Sequence, residues 1–251
     1  QPNESNRACL CAQRGRRRRL AAHAAEPLRP RAHPMRMTEL ILIRHGETDW
    51  NREYRFQGQI DVPLNATGLA QALRLAQALA GERFDRLVSS DLQRARQTVA
   101  PLERAQAARA TASAAWREQA FGVLEGLSAA QIQAEHPQLW AGWVQHDADY
   151  CLPEGESVRR FHARVLGALH ALVDAHAGER LLIVTHGGVL DMLWRTVHGC
   201  SLHGPRDCAI PNTGINRLHW RSGTLAIDCW GDDAHLAGLP EQPATAQPQR
   251  R

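Results

Sequence analysis

Two short apolar runs in this chain stop on the same dipeptide, and that coincidence limits the fold more than any other feature. Within ILIRHGETDWN, residues 41–51, the run Ile41 to Ile43 leads into Arg44-His45-Gly46, and Leu181 to Thr185 leads into His186-Gly187. Apolar runs of this length, bounded by turn residues, read as strands buried on both faces. In an open α/β sheet the ligand crevice lies beyond the carboxyl ends of the parallel strands. Two strands ending in His-Gly therefore aim two imidazoles at one pocket. Arg44, beside the first His, adds a rigid fork suited to phosphate oxygens. The chemistry this predicts is the handling of a phosphoryl group.

The rest of the chain alternates strand and helix, the pattern of a largely parallel sheet covered on both faces. Strands are predicted at 39–43, 86–89 and 181–185, and a terminal hairpin at 215–220 and 224–229 around Ser222-Gly223. Helices are predicted at 68–80, 91–106, 128–136, 157–176 and 187–198. The fold class expected is α/β, a three-layer α/β/α sandwich with a mostly parallel sheet. The clearest helix follows Ser157: a capping residue, then Val158, Phe161, Val165, Leu169, Leu172 and Val173 at threes and fours, then a stop at Gly178. The stretch 119–156 breaks the alternation and carries Trp140, Trp143, Tyr150 and Pro153, so it is expected to be a lid insertion over the top of the sheet.

Composition bounds the remaining choices. A chain of 251 residues, 43% hydrophobic, is long enough for one substantial core. The net charge of +4 conceals an imbalance, because residues 1–36 hold nine Arg against Glu4 and Glu26. That segment has few large apolar residues and is expected to be a disordered Arg-rich extension outside the working protein, ahead of Met35 or Met37. A nucleic-acid arm is not expected, since no aromatic residue there offers base stacking. A transit peptide fits poorly with a single Ser. The folded domain is expected over 37–238, with 239–251, rich in Pro and Gln, as a disordered tail. All 30 basic residues are Arg and none is Lys, so an isolated Arg says little and its neighbours must make the case.

The six cysteines, at 9, 11, 151, 200, 208 and 229, include no CxxC pair, which excludes a zinc ribbon or thioredoxin-like motif. Cys9 and Cys11 with His23 or His33 are a weak metal set, and reduced thiols in a cytoplasm are the expected state. No stretch approaches the roughly 18 apolar residues that span a bilayer. No membrane partner is expected, and oligomeric state is left open.

A third block, SSDLQRARQT at 89–98, follows the strand at 86–89, with Ser90 or Asp91 expected to cap the helix. Arg94 then falls in the first turn, where free N–H groups and the positive helix end already favour an anion. Together with RFQGQIDVPLNATG at 55–68, REQAFGVLEG at 117–126, PEGES at 153–157 and VTHGG at 184–188, these blocks resemble, in order, those of the histidine phosphatase superfamily, which includes the cofactor-dependent phosphoglycerate mutases. The resemblance covers roughly 38–230. It implies a nucleophilic His45 that becomes phosphohistidine. Arg44, Arg94, His186 and Asn51 would surround the phosphoryl oxygens, and Glu118 would be the proton donor. Gln57 and Gly58 hold the position of phosphate or substrate contacts, with Gly187 beside the second His. No cofactor or metal is implied, and the partner is a small phosphomonoester.

Phosphoryl transfer is mostly positioning and electrostatic stabilisation, which two guanidinium forks and a donating His supply. His45 is expected to be neutral, kept so by the surrounding cations, with its other nitrogen held by a backbone carbonyl. Glu118 must be protonated to release a poor leaving group, which predicts an optimum below neutral for such esters. Mutases of this family carry adjacent basic residues in a longer insertion. Here no Arg lies from Glu118 through Val158, and seven carboxylates do. Such an acidic lid would repel a glycerate phosphate, so hydrolysis is preferred over mutase activity, with an ester body that is neutral, apolar or cationic.

Overall fold

The computed structural model describes residues 37–243, so the expectations for 1–36 and for the tail beyond 243 lie outside the described residues. The strands are β1 (Thr38–Arg44), β2 (Arg86–Ser90), β3 (Thr111–Ser113), β4 (Arg180–Thr185), β5 (Ile215–Arg221) and β6 (Thr224–Asp232). The helices are α1 (Asp49–Arg52), α2 (Ala66–Ala78), α3 (Gln93–Gln106), α4 (Ala129–Glu135), α5 (Pro137–Trp143), α6 (Val158–Ala175) and α7 (Gly187–His198). The strands form one sheet in the order β3-β2-β4-β1-β5-β6. The first four run parallel and the β5–β6 hairpin is antiparallel. Ser222 and Gly223, at φ 56° and 78°, form its two-residue turn, the geometry that matches strand twist.

Alternate residues of the central strands face opposite helical layers, which is why their sequences read as unbroken apolar runs. Leu40, Leu42, Leu181 and Ile183 pack on α6 and α7 through Phe161, Val165, Leu169 and Leu193. Ile41, Ile43, Leu182 and Val184 pack on α2 and α3 through Leu75, Leu79, Val99 and Leu102. Each fully buried side chain of this kind contributes about 1.5–3 kcal/mol. The three-layer sandwich is therefore as expected.

One local expectation needs correction. Neither Ser90 nor Asp91 caps α3: its N-cap is Leu92, and the Gln93 N–H donates instead to the Asp61 carboxylate from a distant loop, 2.6 Å. Strand β3 and the short helices α1 and α5 were not expected. The lid over 119–156 has its own small core, in which Leu124, Ile132 and Leu152 gather Phe56, Phe121, Trp140, Trp143 and Tyr150. Among the described residues no helix is long and apolar enough to cross a membrane, and Cys151, Cys200, Cys208 and Cys229 are free thiols.

Candidate active site

β1 and β4 are paired in parallel with Arg44 opposite Thr185, and the His45 N–H donates to the Thr185 carbonyl at 2.8 Å. The ladder thus runs one residue past β1, and His45 and His186 leave the sheet side by side, their ring centroids 5.2 Å apart. His45 Nδ1 lies 2.7 Å from the Gly46 carbonyl. A carbonyl only accepts, so Nδ1 carries the proton and Nε2 keeps its lone pair. That is the tautomer an in-line nucleophile needs. The neighbouring Asn212 Nδ2 donates to the His45 carbonyl at 2.8 Å, which fixes the backbone beneath the ring.

The cage is built from the ends of β1 and β4 and the start of α3. Arg44, the last residue of β1, donates through Nη1 to the Ile210 carbonyl. Arg94, second residue of α3 and fully buried, donates to the carbonyls of Gly58 and Ile60 at 2.7 and 2.8 Å. Their Nε atoms are buried without a partner in the protein, as is Nδ1 of His186, whose Nε2 sits 2.8 Å from the Ser90 hydroxyl. Buried donors of this kind are ordinarily satisfied, so this concentration around one pocket points to an anionic ligand. The pocket of about 130 Å³ is lined by Arg44, His45, Asn51, Gln57, Gly58, Arg94, Glu118 and Gly187. Of the nine residues expected at the site, eight line this pocket directly and His186 stands behind it. Asn51 is partly engaged elsewhere, its Oδ1 accepting from the Thr48 N–H in the capping box of α1.

Glu118 is held by its own backbone and by the start of α7. Its Oε2 accepts from Gly188 N–H at 3.0 Å and its Oε1 from Gln119 N–H at 2.9 Å. A Cβ at Gly188 would lie 2.0 Å from Glu118 Oε1, so any larger residue there would push the carboxylate out of this position. Arg164, on α6, anchors the segment that carries Glu118 by donating to the carbonyls of Ala115, Arg117 and Glu118 at 3.0 Å.

Burial is the largest cause that drives the His45 and His186 imidazoles well below the ordinary 6.5, with the Arg94 charge next for both and the Arg44 charge adding to each. The expectation that cations keep His45 neutral thus names the lesser cause. Burial also brings Arg44 and Arg94 down to about 10, which leaves both charged at neutral pH. In the unfolded chain each imidazole titrates near 6.5, so below that pH the unfolded state binds protons that the native state refuses. Stability therefore falls as pH drops below 6.5, at a slope that approaches about 1.4 kcal/mol per pH unit for each buried imidazole. Urea unfolding at pH 7.5 and 5.5 checks this: His45→Gln is expected to flatten the pH slope by about one imidazole's share, and an unchanged slope would contradict it.

Sequence reasoning missed Ser90 as a partner of His186, and it missed Arg55, Arg206 and Asn212 at the pocket wall. It also misjudged the lid charge. Glu125 turns into the fold and accepts from the N–H groups of Gln59, Ile60 and Phe121, and Glu156 is bound to Arg164 and the Ala120 N–H. Of the seven carboxylates only Glu118 lines the pocket, against the guanidinium groups of Arg44, Arg55, Arg94 and Arg206. The pocket is cationic, so the inferred preference for neutral or cationic ester bodies does not follow.

The sequence profile of the histidine phosphatase superfamily (branch 1) matches residues 40–233. The chain belongs to that superfamily. It is 34% identical over 206 residues to a metal-independent phosphoserine phosphatase of Arabidopsis thaliana, covering 81% of this chain and 85% of the relative. It is 32% identical over 219 residues to a probable phosphoglycerate mutase of Yersinia pestis, covering 85% of this chain and all 100% of the relative. Among solved structures, YhfR of Bacillus stearothermophilus superposes with a TM-score of 0.74 at 31% identity, covering 79% of this chain and 99% of that one. As a histidine phosphatase the chain is an enzyme of phosphate-ester chemistry.

Proposed function

We propose that this histidine phosphatase hydrolyses a small phosphomonoester by transferring the phosphoryl group to Nε2 of His45 and then to water. The observation that carries this is the His45 ring itself, neutral, with Nδ1 tied to the Gly46 carbonyl and Nε2 left as the nucleophile beside two buried guanidinium groups. Arg44 and Arg94 offer their unpartnered Nε–H groups to the equatorial oxygens, where charge is spread in the transition state. His186, positioned by Ser90, stands behind the His45 ring with a buried, unpartnered Nδ1, and Asn51, Gln57, Gly58 and Gly187 complete the lining. Glu118 delivers a proton to the departing alkoxide and takes one from the attacking water, which balances the cycle.

This assignment has a clear signature. Glu118→Gln is expected to lower kcat/KM about 10²–10³-fold for an alkyl phosphate, whose leaving oxygen needs a proton, and by less than about tenfold for p-nitrophenyl phosphate. Equal losses on both esters would remove Glu118 from the acid role.

A mutase reading is favoured by one observation, the full-length match to a probable phosphoglycerate mutase. The two activities share the phosphohistidine and differ in what receives the phosphoryl group. Phosphate release from several monoesters is to be compared with exchange between 2- and 3-phosphoglycerate primed with the bisphosphate. Hydrolysis faster than exchange is expected, and the reverse would overturn the phosphatase reading.

A further inference from the structure

On its lid side the pocket at His45 continues into a second cavity of about 80 Å³, with an apolar wall of Phe121, Trp143, Tyr150 and Phe161. Glu118 and Arg206 stand at the junction, and Arg206 is the one guanidinium that lines both cavities among the described residues. Its position is set by a built support. Arg195, buried on α7, donates to the carbonyls of Ser201, His203, Gly204 and Pro205, which fastens the segment leading to Arg206. Asp191, one turn before Arg195, lies 3.2 Å from Arg195 Nε and 3.8 Å from Arg206 Nε. The Arg206 side chain is only 13% exposed. Its Nη1 reaches the start of α7 beside Arg44: a Cβ on Gly187 would lie 3.3 Å from Arg206 Nη1 and 3.5 Å from Arg44 Nε.

This places a supported cation past the phosphoryl cage, where the body of the ester must lie. The second cavity holds a body of a few heavy atoms; besides its aromatic wall it is lined by Gln119, His146, Asp147 and the paired Asp191 and Arg195, and Arg206 is the cation it shares with the phosphoryl pocket. A planar guanidinium matches a carboxylate through two parallel N–H donors. We propose that Arg206 determines specificity by binding a carboxylate on the ester body, so that the substrate class is the small phosphorylated hydroxy acid. This rests on the phosphatase reading above, with the phosphoryl group at His45 and the carboxylate at the cavity junction. It also reverses the inference from lid composition: the cation selecting an anionic body comes from the segment after α7, while the lid supplies Phe121, Trp143 and Tyr150 of the apolar wall together with Gln119, His146 and Asp147.

The test uses esters matched with and without the carboxylate: phosphoserine against phosphoethanolamine, and 3-phosphoglycerate against ethylene glycol monophosphate. Wild type is expected to favour the carboxylated member of at least one pair. Arg206→Met is expected to lower kcat/KM on that member about 10–100-fold, mainly through KM, with a loss at least tenfold smaller on its partner. Arg206→Lys, which keeps the charge and loses the fork, should recover part of the difference. Equal losses on both members would make Arg206 a phosphoryl ligand or a structural residue and overturn the proposal, as would no loss on either. His45-dependent hydrolysis of p-nitrophenyl phosphate by the wild type is measured alongside. If it is present, a failed discrimination overturns only the role of Arg206; if it is absent, both readings fall.

Discussion

His45→Ala is expected to release phosphate from any monoester at least about 10⁴-fold more slowly than the wild-type chain. The reason is local and chemical. The His45 backbone is fixed from both sides, by its N–H on Thr185 and by Asn212 on its carbonyl, and its Nδ1 is fixed on Gly46. The other imidazole on the pocket wall, His146, belongs to the lid, and Arg44 and Arg94, at about 10, stay charged at neutral pH. What remains in the variant is an anion cage that still binds the ester, so KM or an inhibition constant for vanadate should change far less than kcat. The ring is buried but small, and circular dichroism and a thermal melt should report a folded protein. A variant that kept a tenth of the wild-type rate would remove His45 from the nucleophile role.

Arg94→Met should be the next most damaging change, lowering kcat/KM about 10²–10³-fold, or about 2.7–4 kcal/mol of transition-state stabilisation. The fully buried guanidinium does two things at once. Its Nη atoms hold the Gly58 and Ile60 carbonyls, which sets the loop carrying Gln57, and its Nε is buried without a partner in a residue that lines the pocket. It is also the charge that most depresses the His45 imidazole after burial itself. Removing that charge lets the His45 pKa rise, so the acid limb of the kcat/KM profile should move to higher pH in Arg94→Met. A purely structural role would lower the rate without moving the limb. An unmoved limb would therefore contradict the electrostatic part of this assignment even if activity were lost.

The parts legible from sequence were those in which one local signal and one chemical role coincide. The runs ending at His45 and His186 announce buried strands by apolarity and the pocket by the rule of strand ends, and α6 announces itself by the spacing of Phe161, Val165, Leu169 and Val173. Strand β3, Thr111–Ser113, has three residues and no apolar run, because an edge strand needs none. Leu92 as the cap of α3 was illegible, since the group that receives the Gln93 N–H comes from Asp61, 32 residues earlier. Charge counting on the lid failed for a related reason. Glu125 and Glu156 carry the sign that composition predicts, yet they are spent on backbone N–H groups and on Arg164 inside the fold. Arg206 and Asn212 sit in an irregular stretch whose placement depends on Arg195 reaching four carbonyls, and no periodicity reports that.

The central claim is that one imidazole nitrogen carries the phosphoryl group between ester and water. Its most direct measurement is rapid acid-free quenching of wild-type enzyme mixed with a phosphate-labelled ester, followed by peptide mapping under alkaline conditions. A label that is stable to alkali, lost in acid, mapped to His45 and absent from His45→Ala is the predicted result. A turnover-competent enzyme that carries no label there, or carries it on another side chain, would contradict the account.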